Sequence, residues 1–137
     1  AQEQVISLTQ RTVEKLKAAI GRIEILSERT KERVTIFVNN KKMTVEAKGK
    51  IDSKLAEATT LLEATKIEVG KIVESAKTSL LTEKPKEAFK EVQVSAKKIQ
   101  EDLKAAHAKV VEAITMIKAS LPKVKDSEKK ATTTENQ

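Results

Sequence analysis

His107 is the only imidazole in the sequence, four residues after Leu103 and seven before Ile114. A lone histidine needs partners before it can serve as a metal ligand or a general base. Helical di-metal sites, for example, draw on two Glu-x-x-His motifs and further carboxylates. With no second histidine, His107 reads as a rim residue at the edge of an apolar stripe. Glu24, Glu28 and Glu32 form an acidic ladder in four-residue steps, and hard cations take carboxylate oxygens. Arg22, Arg29, Lys31 and Arg33 crowd the same stretch, so the ladder reads as a solvated charged face. There is no cysteine, which removes thiol nucleophiles, zinc–thiolate sites and disulfides together. Nor is there a glycine-rich phosphate loop or a Ser/His/Asp arrangement. Without Tyr or Trp there is no aromatic platform for bases or sugars. The expectation is a protein that is not an enzyme and uses no cofactor, no metal ion and no small-molecule substrate.

The elements that carry these residues are written in the apolar pattern. Over three stretches, apolar residues recur at alternating 3- and 4-residue steps. The first runs Val13, Leu16, Ile20, Ile23, Val34 and Phe37, with Ser27 and Thr30 filling the intermediate steps. The second runs Ile51, Leu55, Ala58, Leu62, Thr65, Val69, Ile72 and Ala76. The third runs Phe89, Val92, Ala96, Ile99, Leu103, Ala106, Val110, Ala113 and Ile117. This spacing keeps side chains on one slowly drifting stripe of an α-helix, the seam by which helices pack in coiled coils and bundles. Val5, Ala19 and Leu26 flank the first stripe, and His107, Ile114 and Leu121 flank the third. The expected fold is therefore all-α: an antiparallel up-down-up three-helix bundle of long amphipathic, coiled-coil-like helices, its neighbours set by short connections.

Helix ends follow from local chemistry. The first helix is expected over about 4–38, where Asn39-Asn40 can take the left-handed geometry that ends a helix. Thr44 is the expected N-cap of the second, over about 45–81, with Glu46 near its positive dipole end. Pro85 suits the first position of the third, over about 85–121, and Pro122 stops it. Residues 122–137 hold one large aliphatic, Val124, and are expected to form a disordered tail.

Two features invite more than a packing explanation. Ser27, Thr30 and Thr65 replace aliphatics in the seam, where a helical hydroxyl can bond the carbonyl four residues back; they soften the core or set register. Gly21, Gly49 and Gly70, the only glycines, all fall inside expected helices, at a cost of about 1 kcal/mol each relative to Ala. Each sits one step past an inward-facing heptad position, on the outer surface. They are candidates for an interaction surface where another helix approaches closely, against a plain alternative of tolerated drift on an exposed face.

The net charge of +7 is spread rather than concentrated: residues 1–40, 41–81 and 82–121 each carry two more basic than acidic side chains. Glu often stands three positions before a Lys (as at Glu14, Glu28, Glu63, Glu68, Glu74, Glu87 and Glu101), a spacing that supports helices and solvates them. Specific nucleic-acid binding is not expected from such a distribution. No apolar run is long enough to span a bilayer. The chain begins Ala1-Gln2-Glu3, a start that a signal peptidase leaves behind and that trimming leaves equally well.

Two stretches, Gly21-Arg22-Ile23-Glu24-Ile25-Leu26-Ser27-Glu28-Arg29 and Lys84-Pro85-Lys86-Glu87-Ala88-Phe89-Lys90-Glu91-Val92, resemble a loose, uncharacterised set of short, predicted-exported, all-helical bacterial proteins. Those proteins pair an Arg-Ile-Glu helix with a Pro-Lys-Glu-Ala-Phe helix, and the likeness covers about residues 5–121. The resemblance implies export and carries no functional residue. Lys84 stands where that set usually has Asp or Asn, which implies a less sharply capped third helix. The resulting expectation is a non-catalytic exported protein, periplasmic, cell-surface or secreted, that acts by protein–protein binding or self-assembly. A holdase-like chaperone and an adaptor for anionic polymers are the alternatives.

Overall fold

A computed structural model of the chain describes residues 2–121. The tail 122–137, expected to be disordered, and Ala1 lie outside the described residues. Three helices fill the span: α1 (Gln2–Asn39), α2 (Val45–Thr82) and α3 (Pro85–Ser120). Each is about 55 Å long at a rise of ~1.5 Å per residue. All three pairs pack against one another, α2 with α3 most extensively, and no strand occurs among the described residues. Gln2 reaches the Leu80 carbonyl at 3.5 Å, Ser79 reaches Glu91 at 2.7 Å and Lys54 reaches Glu112 at 3.2 Å. Those contacts join the start of α1 to the end of α2, and both ends of α2 to α3. The fold is an up-down-up three-helix bundle.

The core is the aliphatic seam. Leu16, Ile20, Ile51, Leu55, Leu62, Ile99, Leu103 and Val110 are all buried, and the seam alanines Ala58, Ala106 and Ala113 are wholly so. Thr9, Thr30 and Thr65 sit in the same seam, each donating its hydroxyl to the carbonyl four residues back at 2.7 Å. Ser27 is buried without such a bond among the described residues.

At one end of the bundle the 3–4 alternation breaks in all three helices. Buried positions run Val5–Thr9–Val13 in α1, Ile72–Ala76–Leu80 in α2 and Ala88–Val92–Ala96 in α3, each two consecutive four-residue steps. Three-residue steps would have chosen Ile6, Ser79 and Phe89. The extra residue turns the stripe by about 100°, burying Val5, Leu80 and Ala88 and leaving Ile6, Ser79 and Phe89 half-buried. Phe89 is thus a flanking residue and Val5 a seam residue, the reverse of the sequence expectation. Val5, Leu80 and Ala88 form a small core of their own, with Ile6 and Phe89 packed on it.

The connections also differ in detail. Helix α1 continues through Asn39, and Lys41, not Asn39 or Asn40, takes the left-handed conformation at φ 60°. Lys42 N–H donates to the Phe37 carbonyl at 2.8 Å and Lys41 N–H to Val38 at 3.0 Å, a Schellman closure. This turn delivers Met43 into the core. Thr44 then caps α2 by accepting from Ala47 N–H at 3.0 Å, as expected. Lys84 precedes α3 without a side-chain cap, and Pro85 opens the helix.

Candidate interaction surface

His107 is exposed on α3, beside the α1–α3 groove that Lys15, Arg22, Gln100 and Lys104 also line. Among the described residues no carboxylate lines that groove to orient the imidazole as a base. Glu24 of the acidic ladder pairs with Lys66 across to α2. Among the described residues, no group of three or more His, Asp and Glu is placed to hold a metal ion. The three glycines do not converge. Gly49 and Gly70 lie on α2 about 31 Å apart by helical rise, and Gly21 lies on α1. A Cβ at any of the three would meet no atom within 4 Å. Nothing among the described residues therefore requires their missing side chains.

The concave feature that sequence reasoning did not find is an open groove of about 820 Å³ between α2 and α3. It spans the end of the bundle where the steps break, running along α2 from Glu68 to Ser79, past Glu83 in the connection, and along α3 from Ile99 back to Glu87. Ile72, Ala76, Ala88, Val92 and Ile99, all buried, form its floor. Val94, 68% exposed, stands on its edge with Ser75 and Ser95.

Charge along the α2–α3 seam is handled in two ways. Away from the groove, Lys54 meets Glu112 at 3.2 Å and Glu57 at 3.4 Å, and Lys109 lies 4.0 Å from both carboxylates. The Glu112 carboxylate beside Lys54, with Glu57, holds that ammonium above its ordinary range. Within the groove, by contrast, no ion pair closer than 4.0 Å forms among the described residues. Of the Glu–Lys spacings named above, Glu63–Lys66 and Glu74–Lys77 close, at 3.4 and 3.7 Å. Glu14–Lys17, Glu28–Lys31 and Glu101–Lys104 do not, nor do Glu68–Lys71 and Glu87–Lys90 on the groove.

The groove's outer end is acidic. Glu83, in the α2–α3 connection, faces Glu87 and Glu91 from the first turns of α3. Burial raises the Glu83 carboxyl above the ordinary carboxylate range, and a hydrogen bond from its protonated form to Glu91 and repulsion from Glu91 and Glu87 add to the rise. Its Oε2 is shielded from solvent and has no hydrogen-bond partner among the described residues, while Ser79 donates to Glu91 Oε2 at 2.7 Å. The inner end carries Lys71 and Lys98. Among the described residues no helix is long and apolar enough to cross a membrane. Compared with protein-family models, curated proteins and solved structures, the chain matches none of them.

Proposed function

We propose that this chain is a non-catalytic helical protein that works by binding or assembling through its outer helix surfaces, at the cell envelope or outside the cell. The observation that carries the reading is the α2–α3 groove, an apolar floor rimmed by charged side chains that form no ion pair within 4.0 Å among the described residues. Lys54, Glu57, Lys109 and Glu112, farther along the same seam, are paired, so the groove is the stretch of it chemically suited to a second surface. Non-catalytic action is supported by His107, whose surroundings supply cations and no orienting acid. Export rests on the resemblance carried by the Arg22-Ile23-Glu24 and Pro85-Lys86-Glu87-Ala88-Phe89 helices.

Photo-crosslinking in the cells that make the protein tests the binding reading. A photoreactive side chain replacing Val94 should yield protein adducts, and one replacing the distant Ile25 should yield fewer. Absence of adducts at every exposed helix position would overturn it. Cell fractionation tests export: recovery with envelope or medium markers is expected, and exclusive recovery with cytosolic markers overturns that part.

A further inference from the structure

We propose that the protein's partner at this groove is a second copy of itself, the two α2–α3 faces meeting antiparallel about a two-fold axis. The proposal rests on the binding reading above and names its partner. Charge is segregated along the groove: Glu83, Glu87 and Glu91 against the single Lys90 at the outer end, Lys71 and Lys98 against the single Glu68 at the inner end. Ser75, Val94 and Ser95 lie between them. An isologous contact brings each end of a face onto the opposite end of its copy. Here it sets carboxylates over lysines twice, with the exposed Val94 side chains near the axis and small serines permitting close approach. A parallel arrangement would set three carboxylates on three. A foreign helix needs no such symmetry of opposite charges about an apolar midpoint.

The face is small. Fifteen residues of rise and two helix widths give about 400–500 Å² per copy, below the ~800 Å² per partner of standard stable interfaces. The dimer is therefore weak, concentration-dependent and sensitive to salt.

Sedimentation equilibrium of the full chain up to several hundred micromolar, at about 50 mM salt, should show mass rising toward twice the 15.1 kDa of one chain. Reversing the acidic end (Glu87→Lys with Glu91→Lys) or the basic end (Lys71→Glu with Lys98→Glu) should weaken association by about tenfold. These four side chains are exposed, so folding should persist, as circular dichroism would check. A chain carrying both reversals should dimerise again, because each new end meets its complement. The sequence has no cysteine, so Ser75→Cys gives a clean probe that should form a disulfide with its own copy. A wild-type chain that stays monomeric overturns the proposal, as does a folded double-reversal variant that fails to recover. Adducts at Val94 containing only another protein would also overturn it while leaving the binding reading intact.

Discussion

Lys41 occupies a conformation that its side chain disfavours. At φ 60° it closes the Schellman turn after α1, a position where glycine carries no Cβ penalty. Lys41→Gly should therefore stabilise the fold by about 1 kcal/mol, read as a higher urea midpoint with unchanged slope. A loss would mean that the lysine makes a compensating interaction. The buried threonines make a different case. Thr65 donates to the Leu61 carbonyl at 2.7 Å, which as a helical carbonyl also faces its own N–H partner four residues on. Thr65→Val would strand no donor or acceptor, so its cost should stay below about 1 kcal/mol. Leu55→Ala and Leu103→Ala, at 2% and 5% exposure, remove packing that nothing replaces and should each cost about 2–5 kcal/mol. Equal effects at Thr65 and the leucines would show that the seam's hydroxyls carry structural weight beyond local hydrogen bonds.

At the scale of the helix, the sequence pattern specified the middle of each element and faltered at one end. Alternating steps placed Leu16, Leu62 and Val110 correctly because repeated aliphatics at heptad spacing admit one buried face. Near the α2–α3 connection, Val5 and Ile6, Ser79 and Leu80, Ala88 and Phe89 offer adjacent choices, and volume favoured Phe89. Packing chose Ala88 instead, in step with the four-residue spacing of the neighbouring helices. The polarity of Ser79 beside Leu80 was the one local signal of that change. Met43 and the groove were beyond reach, since a turn's φ values and the pairing of charges between helices are set by tertiary geometry. The same end of the bundle has a pH signature. A carboxyl raised in the folded state binds its proton more tightly there than in the unfolded chain. Glu83 thus favours folding below its ordinary titration near pH 4.5, and that contribution is lost as pH rises through its folded-state titration. Glu83→Gln, compared with wild type in dilute protein, should change the urea midpoint little near about pH 4 and raise it near about pH 7. A difference that is constant with pH would remove the proposed burial and repulsion as its cause.

For the whole molecule, the net charge of +7 invites a polyanion-binding reading that the distribution of charge opposes. Each helical third of the chain carries an excess of only two bases. Lys48, Lys54, Lys66, Lys77 and Lys109 already lie within 4.0 Å of carboxylates. These surface pairs add little stability, yet each lowers the charge available to a phosphate nearby. Lys71 and Lys98, free of such pairs among the described residues, share their groove with four carboxylates. Few phosphates can therefore be neutralised together, and affinity for nucleic acid falls steeply with salt when it depends on such contacts. Single strands gain no compensation from stacking, because the only aromatic side chains are Phe37 and Phe89, both half-buried on the core. Fluorescence anisotropy with duplex and single-stranded DNA at about 150 mM salt should show no binding tighter than about micromolar. Sub-micromolar affinity would require lysines from different helices to act as one basic face, and would put an adaptor for anionic polymers ahead of assembly through the α2–α3 groove.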